Sequence, residues 1–208
     1  MVTAPTVSTL EPEDQARAAF YALLARLYAA SPDAALLSAI AAADELPAGA
    51  GSATGDALAH AWHALIEASA AIDVDAAAVE YQDLFIGVGR SEVSLHASAY
   101  MKSPGSTPLV AVRTALARLG LARQAGVNQY EDHLAAVCET MRALITGAGT
   151  PTRFTLSQQR DFFSEHVQPW VASCCDALDA NATAGYYRAV GRFTRCFVAL
   201  ERESMAIE

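Results

Sequence analysis

The chain has 208 residues, more than half of them hydrophobic, with a net charge of −9. That length carries one large domain or two small ones with a real core. The acidic balance argues against nucleic acid as a partner, since phosphate binding needs a basic face. No uninterrupted apolar run reaches membrane-spanning length, and the N-terminal MVTAPTVSTLEPEDQ carries no positive charge ahead of an apolar block. A cytoplasmic protein without stable membrane insertion is expected.

Residues 11–29 open with acids and place Phe20, Leu23, Leu24, Leu27 and Tyr28 on one face of a predicted helix. Ser31-Pro32-Asp33 reads as a cap with proline in the first turn of a short helix to about Ala43. A Gly/Ala-rich loop over 47–55 follows. A third helix is expected over Asp56–Ala71, with Leu58, Trp62, Leu65 and Ile66 inward. Asp73 caps a fourth over Val74–Ile86, stopped by Gly87. Residues 87–106, GVGRSEVSLHASAYMKSPGS, have no clear period, and a connection of that length inside a compact protein is often functional. Thr107-Pro108 starts a helix to about Leu119, ended by Gly120.

The strongest amphipathic signal is Asn128–Ile145, where Leu134, Val137, Cys138, Met141, Leu144 and Ile145 recur at three- and four-residue steps. Asn128 with Glu131 three residues on reads as a capping box. Asp132 is then expected opposite the buried stripe and His133 on its flank, two ionisable groups that do not serve the core. The plainer alternative is a first-turn acid favoured by the helix dipole beside a solvated histidine. After a turn at Gly147–Pro151, helices are expected over Ser157–Val167, from Pro169 to Leu178, and from Thr183 to Glu203. The last buries Tyr186, Tyr187, Val190, Phe193, Phe197 and Leu200. The fold class is all-α, about eight to ten helices, with a natural division in the irregular segment.

Catalytic and metal signals are sparse. His60 and His63 lie one turn apart without a third ligand at fixed spacing. GVGR lacks the strand and lysine of a phosphate loop, and no nucleophile elbow occurs. Asp132 and His133, adjacent on a helix, would diverge, and acid/base work would need a third polar group converging on them. The four cysteines, Cys138, Cys174, Cys175 and Cys196, show no CxxC pairing and read as buried thiols. No enzyme activity, cofactor or metal is expected. Tyr81, Phe85 and Tyr100 flank the irregular segment, and with the acidic start of the 128–145 helix they would form a groove with apolar walls and a negative rim. Such a groove suits a peptide with a basic end and an apolar stretch.

Several runs then resemble one family in order and spacing. Glu80-Tyr81-Gln82-Asp83-Leu84-Phe85-Ile86-Gly87 resembles the aromatic-x-x-Leu-Phe signature of the TorD/DmsD family of chaperones for molybdoenzymes. Ser94–Met101 is similar to its following loop, Glu131-Asp132-His133-Leu134 to the end of its Glu-Pro-x-Asp-His motif, and Gln159–Trp170 to its late helices. Gln129-Tyr130 stand where the family has Glu-Pro, which removes one charge and a stiff entry to the helix.

The resemblance, over roughly residues 15–203, implies a TorD-like fold of two helical parts, 1–106 with the hinge segment 87–106 and 107–208. It implies binding of the twin-arginine leader and apo subunit of a molybdopterin-containing oxidoreductase before export; the alternatives are a NarJ-like adaptor role and, from the residues alone, a helical hydrolase using Asp132 and His133. By carry-over, Tyr81, Leu84 and Phe85 would support or line the peptide groove beside Tyr100. Glu131, Asp132 and His133 would contact the leader or link the parts, Asp132 having the right sign for an arginine. A long hinge in a two-part fold makes a domain-swapped homodimer an expectation.

Overall fold

The computed structural model describes residues 10–47, 52–87, 89–102, 105–124, 126, 129–147 and 154–207. Among them are nine α-helices: α1 Pro12–Ala29, α2 Ala34–Ala41, α3 Ala53–Ala71, α4 Val74–Tyr81, α5 Pro108–Arg118, α6 Leu134–Thr146, α7 Leu156–His166, α8 Val171–Ala180 and α9 Tyr186–Ile207. No described residue lies in a β-strand, and no described helix is long and apolar enough to cross a membrane. The all-α expectation holds.

Helix starts follow the side chains able to satisfy free amides. Asp33, Ser52, Asp73 and Thr107 each accept a backbone N–H three residues on, at 2.7, 3.2, 2.8 and 3.4 Å. Asp33, not Ser31, thus caps α2, and Ser52 caps α3, which starts at Ala53, three residues before the expected Asp56. Thr155 and Gln158 form a capping box for α7. Glu80 performs the same service across the fold: its carboxylate accepts the amides of Gly185, Tyr186 and Tyr187 at 2.8, 3.0 and 2.8 Å, so α9 begins at Tyr186.

The largest correction concerns α6. Its predicted stripe, Leu134 through Ile145, is fully buried as expected. The helix nevertheless starts at Leu134, and Glu131, Asp132 and His133 precede it; Asn128 and most of the turn at 147–151 lie outside the described residues. The reason is tertiary. The Ala97 amide donates to the Asp132 carbonyl at 3.0 Å and the Leu134 amide to the Leu95 carbonyl at 2.8 Å, forming a two-residue antiparallel bridge between His96 and His133. A backbone paired to a neighbouring segment cannot also wind into a helix.

Helix α1 packs on α6, α3 on α9 and α8 on α9, so helices from before and after residue 106 share one core. Phe20 joins α1 to α3 and α9 through rings of Trp62, Phe193 and Phe197 at 5.6, 5.2 and 5.5 Å. Arg17 ties α1 to α9 with a two-pronged bond to the buried Glu201 at 2.7 and 3.1 Å, and the Tyr21 hydroxyl donates to the same carboxylate at 3.0 Å. The irregular segment belongs to this body: Val93, Leu95 and Ala97 are buried, and the Val93 amide donates to the Leu84 carbonyl at 2.9 Å.

Candidate functional site

Helix α4 does not run regularly to Ile86. From Gln82 to Ile86 the chain adopts a π-helical turn, closed by Gly87 at φ +61° with its amide bonded to the Gln82 carbonyl at 2.8 Å. Such turns are rare and concentrate at functional sites. This one leaves Ile86 53% exposed while Phe85 stays buried against Tyr81 and Tyr187, at 5.2 and 4.8 Å between ring centres.

Between this turn, the end of α1 and the segment before α6 lies a groove of about 420 Å³. Ala29, Ala30 and Ser31 form one side, Tyr81, Gln82, Phe85 and Ile86 another, and Gln129, Tyr130, His133 and His96 the third. The walls mix polar and apolar surface in nearly equal parts, and Tyr130 is 54% exposed. Among the described residues no lysine or arginine lines it. Gln129 donates from Nε2 to the Ala29 carbonyl at 3.1 Å, pinning the end of α1 to the third side.

The site residues read from sequence do not all meet at the groove. Tyr81, Phe85 and His133 line the groove. Leu84 is fully buried beneath it in the core. Tyr100 is not among the lining residues: its ring stacks on Trp170 at 5.9 Å and its hydroxyl donates to the Ser94 carbonyl at 2.8 Å.

The carboxylates do not form the expected negative rim. Glu131 bonds to Arg113 at 3.0 Å and approaches Arg123 at 3.9 Å. Asp132, expected on the outer face of a helix, is 2% exposed. Its Oδ1 takes the Nδ1 of His96 at 3.1 Å and its Oδ2 accepts the Ser98 amide at 3.3 Å. Burial by itself would raise its pKa, but the hydrogen bonds from His96 and Ser98 outweigh it and hold the carboxyl below the ordinary range.

His133 is the N-cap of α6: its Nδ1 accepts the Ala135 amide at 3.1 Å. That nitrogen is therefore unprotonated, and burial lowers the ring's pKa to about 4. His96, which the sequence reading passed over, completes the cluster, its ring edge-on to that of His133 at 4.9 Å. It lies in an aperiodic stretch, and its pairing with Asp132 spans 36 positions, so no local pattern marks it.

His96 is the converging third polar group that an acid/base reading required. Among the described residues, however, no serine, threonine or cysteine side chain hydrogen-bonds to either imidazole, so no nucleophile is activated. Burial pushes the thiols of Cys138, Cys174 and Cys175 upward, keeping them protonated and unreactive. His63 is engaged by Glu45 at 2.6 Å and Glu67 at 3.4 Å, and no group of three potential metal ligands occurs among the described residues.

The geometry is thus an all-helical scaffold with an open groove and a polar cluster that holds its own backbone. The family model described as nitrate reductase delta subunit matches residues 52–176, and the chain belongs to that family. Proteins named chaperone protein TorD, from Vibrio cholerae serotype O1 strains including Ogawa 395 and El Tor Inaba N16961, are 24% identical to it over 135 residues. The match takes in 62% of this chain and 61% of the relatives' own length. The resemblance drawn from the ordered motifs points to the same TorD-type family.

Proposed function

We propose that this chain is a chaperone in the maturation of a molybdenum-cofactor oxidoreductase, binding the client subunit and its twin-arginine leader in the cytoplasm before export. The observation that carries this reading is the groove beside the π-helical turn. It offers Tyr81, Phe85, Ile86 and Tyr130 to an apolar stretch and, among the described residues, no lysine or arginine to oppose an arginine pair. The family and the TorD-named relatives support the chaperone assignment. The protein works by binding and holding; it is not an enzyme.

A second reading, an assembly adaptor for a client that is not exported, is favoured by the family description, which names a nitrate reductase subunit. The division near residue 106 and a domain-swapped dimer belong to the proposal as ways for the two parts to open around a client.

Calorimetric titration with leaders of the host's own molybdoenzymes tests it. One leader is expected to bind at micromolar affinity, and Ile86→Asp or Tyr130→Asp to weaken it about tenfold or more, since each puts a charge on an apolar wall. No binding by any leader, with tight binding of a client lacking one, would replace the chaperone by the adaptor.

A further inference from the structure

Asp132 carries the charge that would suit an arginine, yet both its oxygens are engaged and it is shielded from the groove. What faces the groove is His96. An ionised carboxylate accepts hydrogen bonds and cannot donate, so the His96 nitrogen against it, Nδ1, carries the hydrogen. In the neutral ring Nε2 is then a bare acceptor, and it has no hydrogen-bond partner among the described residues. The ring cannot easily turn away: its backbone is bridged to His133, the ring of His133 packs edge-on at 4.9 Å, and Tyr130 lies at 6.3 Å. His133 cannot substitute for it as acceptor, because its own Nδ1 is committed to the Ala135 amide.

We propose that His96 is the specificity-determining contact of the groove: its Nε2 accepts a hydrogen bond from a guanidinium of the bound peptide, and buried Asp132 acts through it as a positioning residue. This rests on the leader-binding reading above. The carboxylate, imidazole and guanidinium would form a chain in which Asp132 fixes the tautomer and its negative charge reaches the arginine through the ring. An arginine fits better than an uncharged donor, because the Asp132–His96 pair keeps a net negative charge while the ring is neutral.

The test is a cycle between protein and peptide, with thermal melting as the folding control. Wild type, His96→Ala and Asp132→Asn are titrated with a bound leader and with the same leader carrying Arg-Arg→Gln-Gln. Loss of the acceptor in His96→Ala should weaken the arginine leader about tenfold. In Asp132→Asn the Ser98 amide holds the new carbonyl oxygen, the amide NH₂ faces Nδ1, and the imidazole hydrogen moves to Nε2. A donor then meets a donor, and the loss should be at least as large. The Gln-Gln leader, which has no guanidinium to lose, should be weakened clearly less than the arginine leader in both variants.

Nitrogen-15 spectra of the wild-type ring give a readout that needs no substitution. Nε2 should report as unprotonated in the free protein and shift on adding the arginine leader but not the Gln-Gln one. Equal losses for both leaders, or a protonated Nε2 in the wild type, would overturn the assignment while leaving leader binding intact. If the wild type bound no leader at all, the proposed function would fall with it.

Discussion

At the scale of single residues, the site depends on which nitrogen of each histidine is occupied. His133 stays neutral to about pH 4 in the folded protein, whereas an unfolded histidine charges near pH 6.5. The unfolded chain therefore takes up this proton first as pH falls. Stability contributed by His133 is fully present above about 6.5 and is lost progressively towards about 4, by on the order of 3 kcal/mol. Asp132, held below its usual range, adds its own loss only under still more acid conditions. Replacing His133 by asparagine, a strong N-cap residue, should preserve the start of α6 and flatten this slope. Urea unfolding of both proteins from pH 7 to 4.5 measures it. Identical slopes would show that another group carries the acid sensitivity.

At the scale of elements, the π-helical turn and its closing glycine shape the groove. Gly87 has φ +61° and ψ 172°, a conformation almost confined to glycine. A β-carbon there would sit 2.4 Å from the Arg90 carbonyl oxygen, a backbone atom that cannot step aside. Gly87→Ala should therefore destabilise by about 2 kcal/mol or more and, by displacing Phe85 and Ile86, weaken leader binding. A Gly87→Ala protein that melts like the wild type would mean that the turn opens freely. The same run carries Glu80, whose carboxylate starts α9; the motif that shapes the groove also anchors the last helix to it.

At the scale of the molecule, the halves before and after residue 106 are packed into each other, and Arg17 and Glu201 are the polar bolt between the first and last helices. Removing Glu201 takes the two-pronged partner from Arg17, which keeps Asp14 at 2.9 Å, and leaves the buried Tyr21 hydroxyl without its acceptor. Glu201→Ala should cost about 3 kcal/mol, because the Arg17 side chain is only 12% exposed and only partly compensated. Unfolding should also be a single transition, with Trp62 in one half and Trp170 in the other reporting the same midpoint by fluorescence and circular dichroism. Two midpoints would mean that the halves unfold independently.

The sequence by itself determined what depends on neighbours along the chain. Three- and four-residue spacing set the buried faces of α1, α3, α6 and α9, and the caps at Asp73 and Thr107 follow from side chains acting within one turn. The ordered motifs also pointed to the family and to Tyr81, Phe85 and His133 beside one groove. Only the tertiary structure decided where α6 begins, because the bridge between His96 and His133 competes with local capping and wins. The same bridge buries Asp132 and turns it from a rim charge into the partner of His96. Long-range hydrogen bonds carry no periodicity, and the pairing of His96 with Asp132 was for that reason invisible until the chain was folded.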